Sequence, residues 1–317
     1  MVKVSVIIVS MNNVGVLSDC LDSIKDNTAL SYETFVVAYM YSMENLKKLK
    51  TDYPWVRIIE SNELRGFSEN NNLALRQASG EYCFVVNDDT YFKGPLIDSL
   101  VSDFEKLPET AAIVYPEIFF PDGRVQLCGR KKLTAWSYMA NYLHLHRDTK
   151  PTKYSMKKGL FKTYNITGAC FLIKTDIFKR MGWFDETYTF TPEDIALSTK
   201  LNESGYGVYC DADLSITHIS GATASRIEAA IKPTRVRGSL IFYTKGSAIR
   251  YCLLGIFAWL FEACRGIKYI FKDTSDPNSH NAIMASTARN VRHSIFTKES
   301  TKEIFVKYYN EIKNQPK

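Results

Sequence analysis

The chain has 317 residues, 45% of them hydrophobic and 23% charged, with a formal net charge of +6. That length fits about two domains, or one large α/β domain with an appendage, and the composition excludes a disordered, collagen-like or coiled-coil protein. Seven scattered cysteines (Cys20, Cys83, Cys128, Cys170, Cys210, Cys252 and Cys264) show no C-x-x-C spacing. They argue against a disulfide scaffold and a structural zinc site, and fit a reducing compartment.

Val4–Val9 (VSVIIV) is a β-branched run too short for a signal-peptide core or a membrane span, and it reads as a strand buried on both faces of a parallel sheet. A loop with Asn12 and Asn13 leads into a helix from about Val16 to Asn27. Thr34–Ala38 is a second strand, Glu44–Asp52 a helix and Val56–Glu60 a third strand. Gly66 and Phe67 lead into a helix over Ser68–Ala78, with Ser68 as its N-cap. Tyr82–Val86 is a fourth strand that runs straight into Asn87-Asp88-Asp89. This alternation predicts an α/β fold with a doubly wound, mostly parallel, Rossmann-like sheet. Ligands of such sheets bind beyond the carboxyl ends of the strands, where Asp88 and Asp89 fall.

Gly94–Leu107 then reads as a helix and Ala112–Tyr115 as a strand. Pro121–Lys162 has weak periodicity and reads as a long loop or lid; His144 and His146 lie in it, with acceptor contact and a solvated loop both open. Asn165-Ile166-Thr167 fits a glycosylation sequon and is read as chance. Order returns at Gly168–Ile173, with a helix from Thr175 and another over Pro192–Ser204, Pro192 near its first turn and Gly205 after its end. Val208–Cys210 and Leu214–His218 read as short strands. The first domain is expected to span residues 1–225 and a helical, basic and apolar region residues 226–317.

Charge is concentrated in that second region. Between Arg226 and Lys272 nine basic residues face two acids, Glu228 and Glu262, so the segment carries +7 and the rest of the chain −1. The same segment holds the uncharged run Tyr251–Phe261 (YCLLGIFAWLF), about 16 Å long as a helix and too short to span a bilayer, with Glu262 and Arg265 interrupting any extension. Apolar clusters edged by Lys and Arg, with Trp259, suit a helix lying in an anionic membrane surface; a helix buried against the main domain is the other reading. The aromatic-studded groove of a nucleic-acid binder is not present, so no nucleic acid is expected.

Three pairs or single residues could carry chemistry. Adjacent carboxylates at 88 and 89 repel unless a cation or solvent separates them, and Mg²⁺ or Mn²⁺ favours one or two carboxylates plus phosphate oxygens. On the doublet alone a polar turn after a strand is the commoner explanation. Glu193-Asp194 opens a helix, where the dipole favours acids in any case. His218 ends a strand, where a structural role is the commoner one.

In chain order these segments resemble family 2 glycosyltransferases of the GT-A fold. The matching stretches are Val4–Asn12 (VSVIIVSMN), Asn62–Ala78 (NELRGFSENNNLALRQA), Gly80–Thr90 (GEYCFVVNDDT), Thr167–Ile173 (TGACFLI), Gly182–Glu186 (GWFDE), Glu193-Asp194 and Thr217–Ser220 (THIS). They cover roughly residues 1–225 and are most similar to rhamnosyl- and galactofuranosyl-transferase-like members. The resemblance implies an inverting, metal-dependent transfer of a hexose such as rhamnose from a nucleotide-diphosphate donor to a hydroxyl of a growing, lipid-linked glycan in cell-surface polysaccharide synthesis. It implies Mg²⁺ or Mn²⁺ held by Asp89, Asp88 and His218, and Asp194 as the catalytic base. It places Ser10, Asn12, Arg65, Gly66, Asn87 and Asp88 along the nucleotide, and Trp183, Asp185 and Glu193 at the acceptor and donor sugar. The expected location is cytoplasmic, peripheral at the inner face of the cell membrane.

The chain departs from the family pattern at three positions. Ala38 stands where an acid usually reads the base, Asn87 opens the D-x-D-type motif, and Ala196 replaces an acid after the Glu-Asp pair. These departures motivate an alternative, a catalytically silent member that binds another glycosyltransferase. A nucleotidyltransferase is disfavoured because no Gly-rich phosphate loop follows the first strand.

Overall fold

A computed structural model describes residues 2–143, 154, 156–220, 227–277 and 279–314. His144, His146 and residues 221–226, where the first domain was expected to close, lie outside the described residues.

The first half alternates strand and helix: β1 (Val4–Met11), α1 (Val14–Asn27), β2 (Tyr32–Tyr39), α2 (Met43–Asp52), β3 (Arg57–Ser61), α3 (Phe67–Leu75) and β4 (Tyr82–Val86). After these come β5 (Thr90–Tyr91), α4 (Leu96–Asp103), β6 (Ala111–Phe119), β7 (Val125–Leu127), α5 (Ala135–Tyr142), β8 (Leu160–Thr163), β9 (Cys170–Lys174), α6 (Thr175–Arg180), α7 (Glu193–Glu203) and β10 (Gly207–His218). The ten strands form one sheet in the order β3-β2-β1-β4-β9-β6-β10-β5, with β7 added to β6 and β8 to β10. Val6 and Ile8 of β1 are fully buried with α1 residues Leu17, Leu21 and Ile24, while Ile7 is buried with Leu75 of α3 and Val85 of β4. Both faces of β1 are therefore covered, which is why its sequence lacks alternation.

The α/β architecture agrees with the sequence reading, and several details differ. β9 runs antiparallel to both β4 and β6; an apolar run such as CFLI looks the same in either direction. α3 begins at Phe67 rather than Ser68, because Glu69 reaches back to accept the Gly66 N–H and makes Gly66 the N-cap. The expected helix over Gly94–Leu107 is shortened to α4 followed by one 3₁₀ turn at Phe104–Lys106. The stretch expected as a loop or lid contains β7, α5 and β8. The two short strands expected near 208–218 are one strand, β10, interrupted by a bulge: Asp211 pairs with Pro116 and Ser215 with Glu117.

The amino ends of the central strands are tied by a polar knot. Glu33 is buried on β2 and accepts from Ser5 Oγ (2.7 Å) and from the Ser79 N–H and hydroxyl (2.8 Å each), while Arg57 lies 2.6 Å away. Ser5 Oγ in turn accepts from the Gly80 N–H, and a Cβ at Gly80 would sit 2.6 Å from the Ser5 nitrogen, so only glycine allows this approach. That end of the sheet is closed by structure, leaving the carboxyl ends for chemistry.

The chain divides into two compact units, with one boundary at Glu193/Asp194. The first is the sheet with its flanking helices. The second comprises α5, the segment Glu186–Glu193 and four C-terminal helices, α8 (Glu228–Thr244), α9 (Ala248–Ile270), α10 (His280–Ile295) and α11 (Thr301–Lys313). Within the second unit Val236, Leu240, Ala258, Val291 and Ile295 form the core of α8–α10. Glu262 of α9 is fully buried there: its carboxylate accepts from Tyr142 Oη (2.7 Å) and Arg265 (3.0 Å) and lies 3.1 Å from Lys232 Nζ. The glutamate expected to end the apolar helix therefore sits on its protein-facing side, and α9 continues past it to Ile270, 23 residues in all.

Candidate active site

The site is assembled at the carboxyl ends of β1 and β4 and by the end of β10. β5 follows Asp88-Asp89 immediately and pairs antiparallel with β10, His218 opposite Thr90, and the Ile219 N–H donates to the Asp89 carbonyl (2.9 Å). That short ladder brings His218 Nε2 to 3.1 Å from Asp89 Oδ1, with Asn87 Nδ2 3.4 Å from the same nitrogen. On its other side His218 Nδ1 lies 2.8 Å from Gln126 Oε1. With Gln126 Oε1 as the acceptor, the bond is made by Nδ1–H and leaves Nε2 on the Asp89 side. An imidazole nitrogen and a carboxylate oxygen this close can ligate one cation together. One imidazole and one carboxylate, completed by phosphate oxygens, is a donor set suited to a divalent cation. The residues present therefore fit the metal implied by the sequence. Among the described residues, no group of three or more His, Cys, Asp or Glu side chains converges as a metal cage.

Asp88 is directed to a different partner. Its carboxylate accepts from Ser10, whose hydroxyl also lies 2.8 Å from Tyr41 Oη. Burial pushes the Asp88 carboxyl up to about 7, with the neighbouring Asp89 charge adding to the effect and the Ser10 bond opposing it. Ala38, beside Ser10 in the β1–β2 ladder, is buried. The polar groups near that point are hydroxyls, Tyr41 on Ser10 and Tyr39, whose Oη accepts the Arg65 N–H.

The expected nucleotide-lining loops are fixed by their own side chains. Asn12 adopts a left-handed backbone (φ +49°), which asparagine tolerates, and its Oδ1 accepts from the Ser42 N–H and from Asn45 Nδ2 (2.9 Å each). Arg65 bonds Ser61 Oγ and Glu63, and Gly66 caps α3. Two buried asparagines of α3 hold the surroundings: Asn70 accepts from Ser61 Oγ, and Asn72 both donates to and accepts from the Phe184 backbone. The second clamp sets the loop that bears Trp183 and Asp185. Trp183 has a φ of +65°, unusual for a bulky residue and characteristic of functional sites, while Asp185 is exposed. Glu193 accepts the Thr191 N–H.

Asp194 lies in the first turn of α7. Its Oδ1 accepts the Ile195 N–H (2.7 Å), and its Oδ2 is 3.4 Å from Arg130, whose guanidinium also donates to the Ile166 carbonyl (3.2 Å). Asn165, the sequon asparagine, is fully buried and donates to the Lys131 carbonyl, which agrees with reading the sequon as chance. Sequence reasoning missed Gln126 and Arg130. They lie four residues apart on β7 and the turn after it, the first holding His218 and the second Asp194. Single polar residues in a stretch without periodicity carry no signal of such roles.

The α/β architecture with its mostly parallel sheet is of the GT-A type, as its likeness to solved structures shows. GalNAc-T7, solved with UDP, GalNAc and Mn²⁺, superposes with a TM-score of 0.58 at 15% identity over 99% of this chain and 58% of that one. The mannosyltransferase PcManGT of Pyrobaculum calidifontis, solved with GDP-Man and Mn²⁺, superposes with a TM-score of 0.53 at 15% identity, covering 94% and 88%. At that identity they show the fold alone. Residues 5–182 match the Glycosyl transferase family 2 model, more than half of the chain, and the chain belongs to that family. Among curated relatives, the O-antigen biosynthesis protein RfbC of Myxococcus xanthus is 27% identical over 198 residues, covering 62% of this chain and 15% of that protein. The uncharacterized protein y4gI of Sinorhizobium fredii is 26% identical over 243 residues, covering 74% and 26%. The chain thus spans only a minor part of the length of these two relatives.

Proposed function

We propose that the chain is a metal-dependent, inverting hexosyltransferase that moves a sugar, rhamnose or a related hexose, from a nucleoside diphosphate to a hydroxyl of a growing, lipid-linked glycan. It would act in surface-polysaccharide synthesis at the inner face of the cell membrane. The observation that carries this reading is the Asp89–His218 pair at the carboxyl edge of a family 2 sheet, 3.1 Å apart and oriented by Gln126.

In this reading Asp89 and His218 hold Mg²⁺ or Mn²⁺, which when bound neutralises charge developing on the departing diphosphate. Asp88, Ser10 and Asn87 contact the donor, with Asn12, Arg65 and Gly66 along the nucleotide. Asp194 accepts the proton of the acceptor hydroxyl as that oxygen attacks the anomeric carbon, and the carbon–diphosphate bond breaks on the opposite side. Arg130 keeps the Asp194 carboxylate in place. Trp183, Asp185 and Glu193 border the sugar and acceptor. RfbC, named for O-antigen biosynthesis, supports the polysaccharide setting.

Calorimetric titration with UDP, dTDP and GDP, each with and without Mn²⁺, tests the reading. Binding of one nucleotide only with Mn²⁺ is the expected result and identifies the donor class. Absence of binding to all three in folded protein would refute it. Replacing Gln126 with alanine should weaken the Mn²⁺-dependent binding by about 10–100-fold, the usual effect of losing a group that orients a ligand, and Gln126→Glu, which keeps an acceptor for Nδ1–H, should retain most of it. Equal affinity in Gln126→Ala would remove the glutamine from the site.

A second reading has a specific observation behind it. Both Asp194 oxygens have partners, and Ala38 replaces the base-reading acid, as in a silent member that serves another transferase. It predicts no metal-dependent nucleotide binding and indifference to Asp194→Asn.

A further inference from the structure

α9 exposes an apolar stripe to solvent along its whole length. Ile249, Leu253, Ile256 and Leu260 recur at three- and four-residue steps, Ile267 follows two turns on, and each is about half exposed or more, Ile249 at 76%. Phe257 (58% exposed) and Trp259 widen the stripe, and the opposite face buries Gly255, Ala258 and Glu262. Exposed aliphatic and aromatic side chains in one contiguous row mark an interaction surface rather than scatter.

Charge identifies the occupant. The sole acid of α9, Glu262, is buried among Tyr142, Lys232 and Arg265. The charges left on the exposed side of the helix are Arg250 and Lys268, both exposed, with Lys245 and Lys272 just beyond its ends. A second copy paired along the stripe would set Arg250 against Lys268 in the antiparallel sense, or each against itself in the parallel sense, and like charges oppose both. A bilayer surface with anionic headgroups matches apolar stripe and cationic edge together. Among the described residues no helix is long and apolar enough to cross a membrane, which leaves a surface-lying mode for α9 on a bilayer.

We infer that α9 docks this chain flat on an anionic lipid surface, with Phe257 and Leu260 in the acyl boundary, Trp259 at headgroup level, and Arg250 and Lys268 on lipid phosphates. This deepens the proposed function by naming the surface through which a lipid-linked acceptor is met, and it rests on that reading only for its purpose.

Cys252 and Cys264 are the two exposed cysteines, both on α9, whereas the other five are buried. An environment-sensitive thiol dye on the native protein therefore reports on this helix. Flotation and dye emission are measured with vesicles of phosphatidylcholine alone and of phosphatidylcholine with phosphatidylglycerol. The expected result is co-flotation and a blue shift with the anionic vesicles, weakened by salt. Phe257→Glu with Leu260→Glu should weaken binding by about 100-fold, roughly tenfold for each buried side chain. Arg250→Gln with Lys268→Gln should weaken it about 25-fold, near fivefold for each charge. These positions are on the surface, and an unchanged thermal transition checks that the variants fold. Equal binding to both vesicle types overturns the anionic assignment. Failure to bind either, or a concentration-dependent dimer abolished by Phe257→Glu without vesicle binding, overturns the proposal and in the second case gives the stripe to another copy. The vesicle assay uses no nucleotide, so its failure and the failure of nucleotide binding are read separately.

Discussion

Replacing Asp194 with asparagine is expected to lower kcat by about 10²–10⁴-fold, the contribution typical of a positioned proton acceptor, while nucleotide affinity stays within about twofold. The amide preserves volume and an oxygen for the Ile195 N–H, so α7 keeps its first turn. What is lost is the negative oxygen beside Arg130, the one proposed to take the acceptor proton. The measurement is turnover of a nucleotide sugar with saturating acceptor, alongside calorimetry with the nucleotide alone. Unchanged turnover in the variant would take the base role away from Asp194.

Asp89→Ala should erase the difference between nucleotide titrations with and without Mn²⁺ and lower turnover by about 10³-fold. A cation that stabilises developing charge by several kcal/mol corresponds to a loss of that order. The variant also deprives His218 Nε2 of its carboxylate neighbour. The ladder that holds Asp89 is made by its backbone, through the Ile219 N–H, so the substitution leaves β5 and β10 paired. A variant that still binds nucleotide only with Mn²⁺ would show that the cation sits elsewhere.

The alternation of β1–α1–β2–α2–β3–α3–β4 was legible because strands covered on both faces write themselves as unbroken β-branched runs. Asp88, Asp89 and His218 stood out at strand ends, where such sheets bind ligands, but only the collinear likeness to family 2 glycosyltransferases gave them expected roles; the structure brings Asp89 and His218 together. Direction was not legible: the antiparallel β9 and the parallel β4 carry the same apolar pattern. Gln126 and Arg130 were hidden because their partners, His218 and Asp194, are remote in the chain and meet them only through the pairing of β7 with β6 and the packing of α7. Glu262 misled for a related reason. A carboxylate in an apolar run looks like a terminus until the tyrosine, lysine and arginine that neutralise it are seen around it.

The bulge in β10 bears on how this strand can vary in length. Between Asp211 and Ser215 the strand holds more residues than β6 opposite it, whereas from Ser215 to His218 the ladders with β6 and β5 take over. Slack is thus stored upstream, and the final four residues act as a tether of set length whose last link is the imidazole. A side-chain period of two means that a slip of one residue within the tether would turn His218 to the other face of the sheet and present Thr217 or Ile219 to Asp89. Additions and deletions in the bulge can be taken up before they reach the tether, so the strand can change its length there and still deliver the histidine.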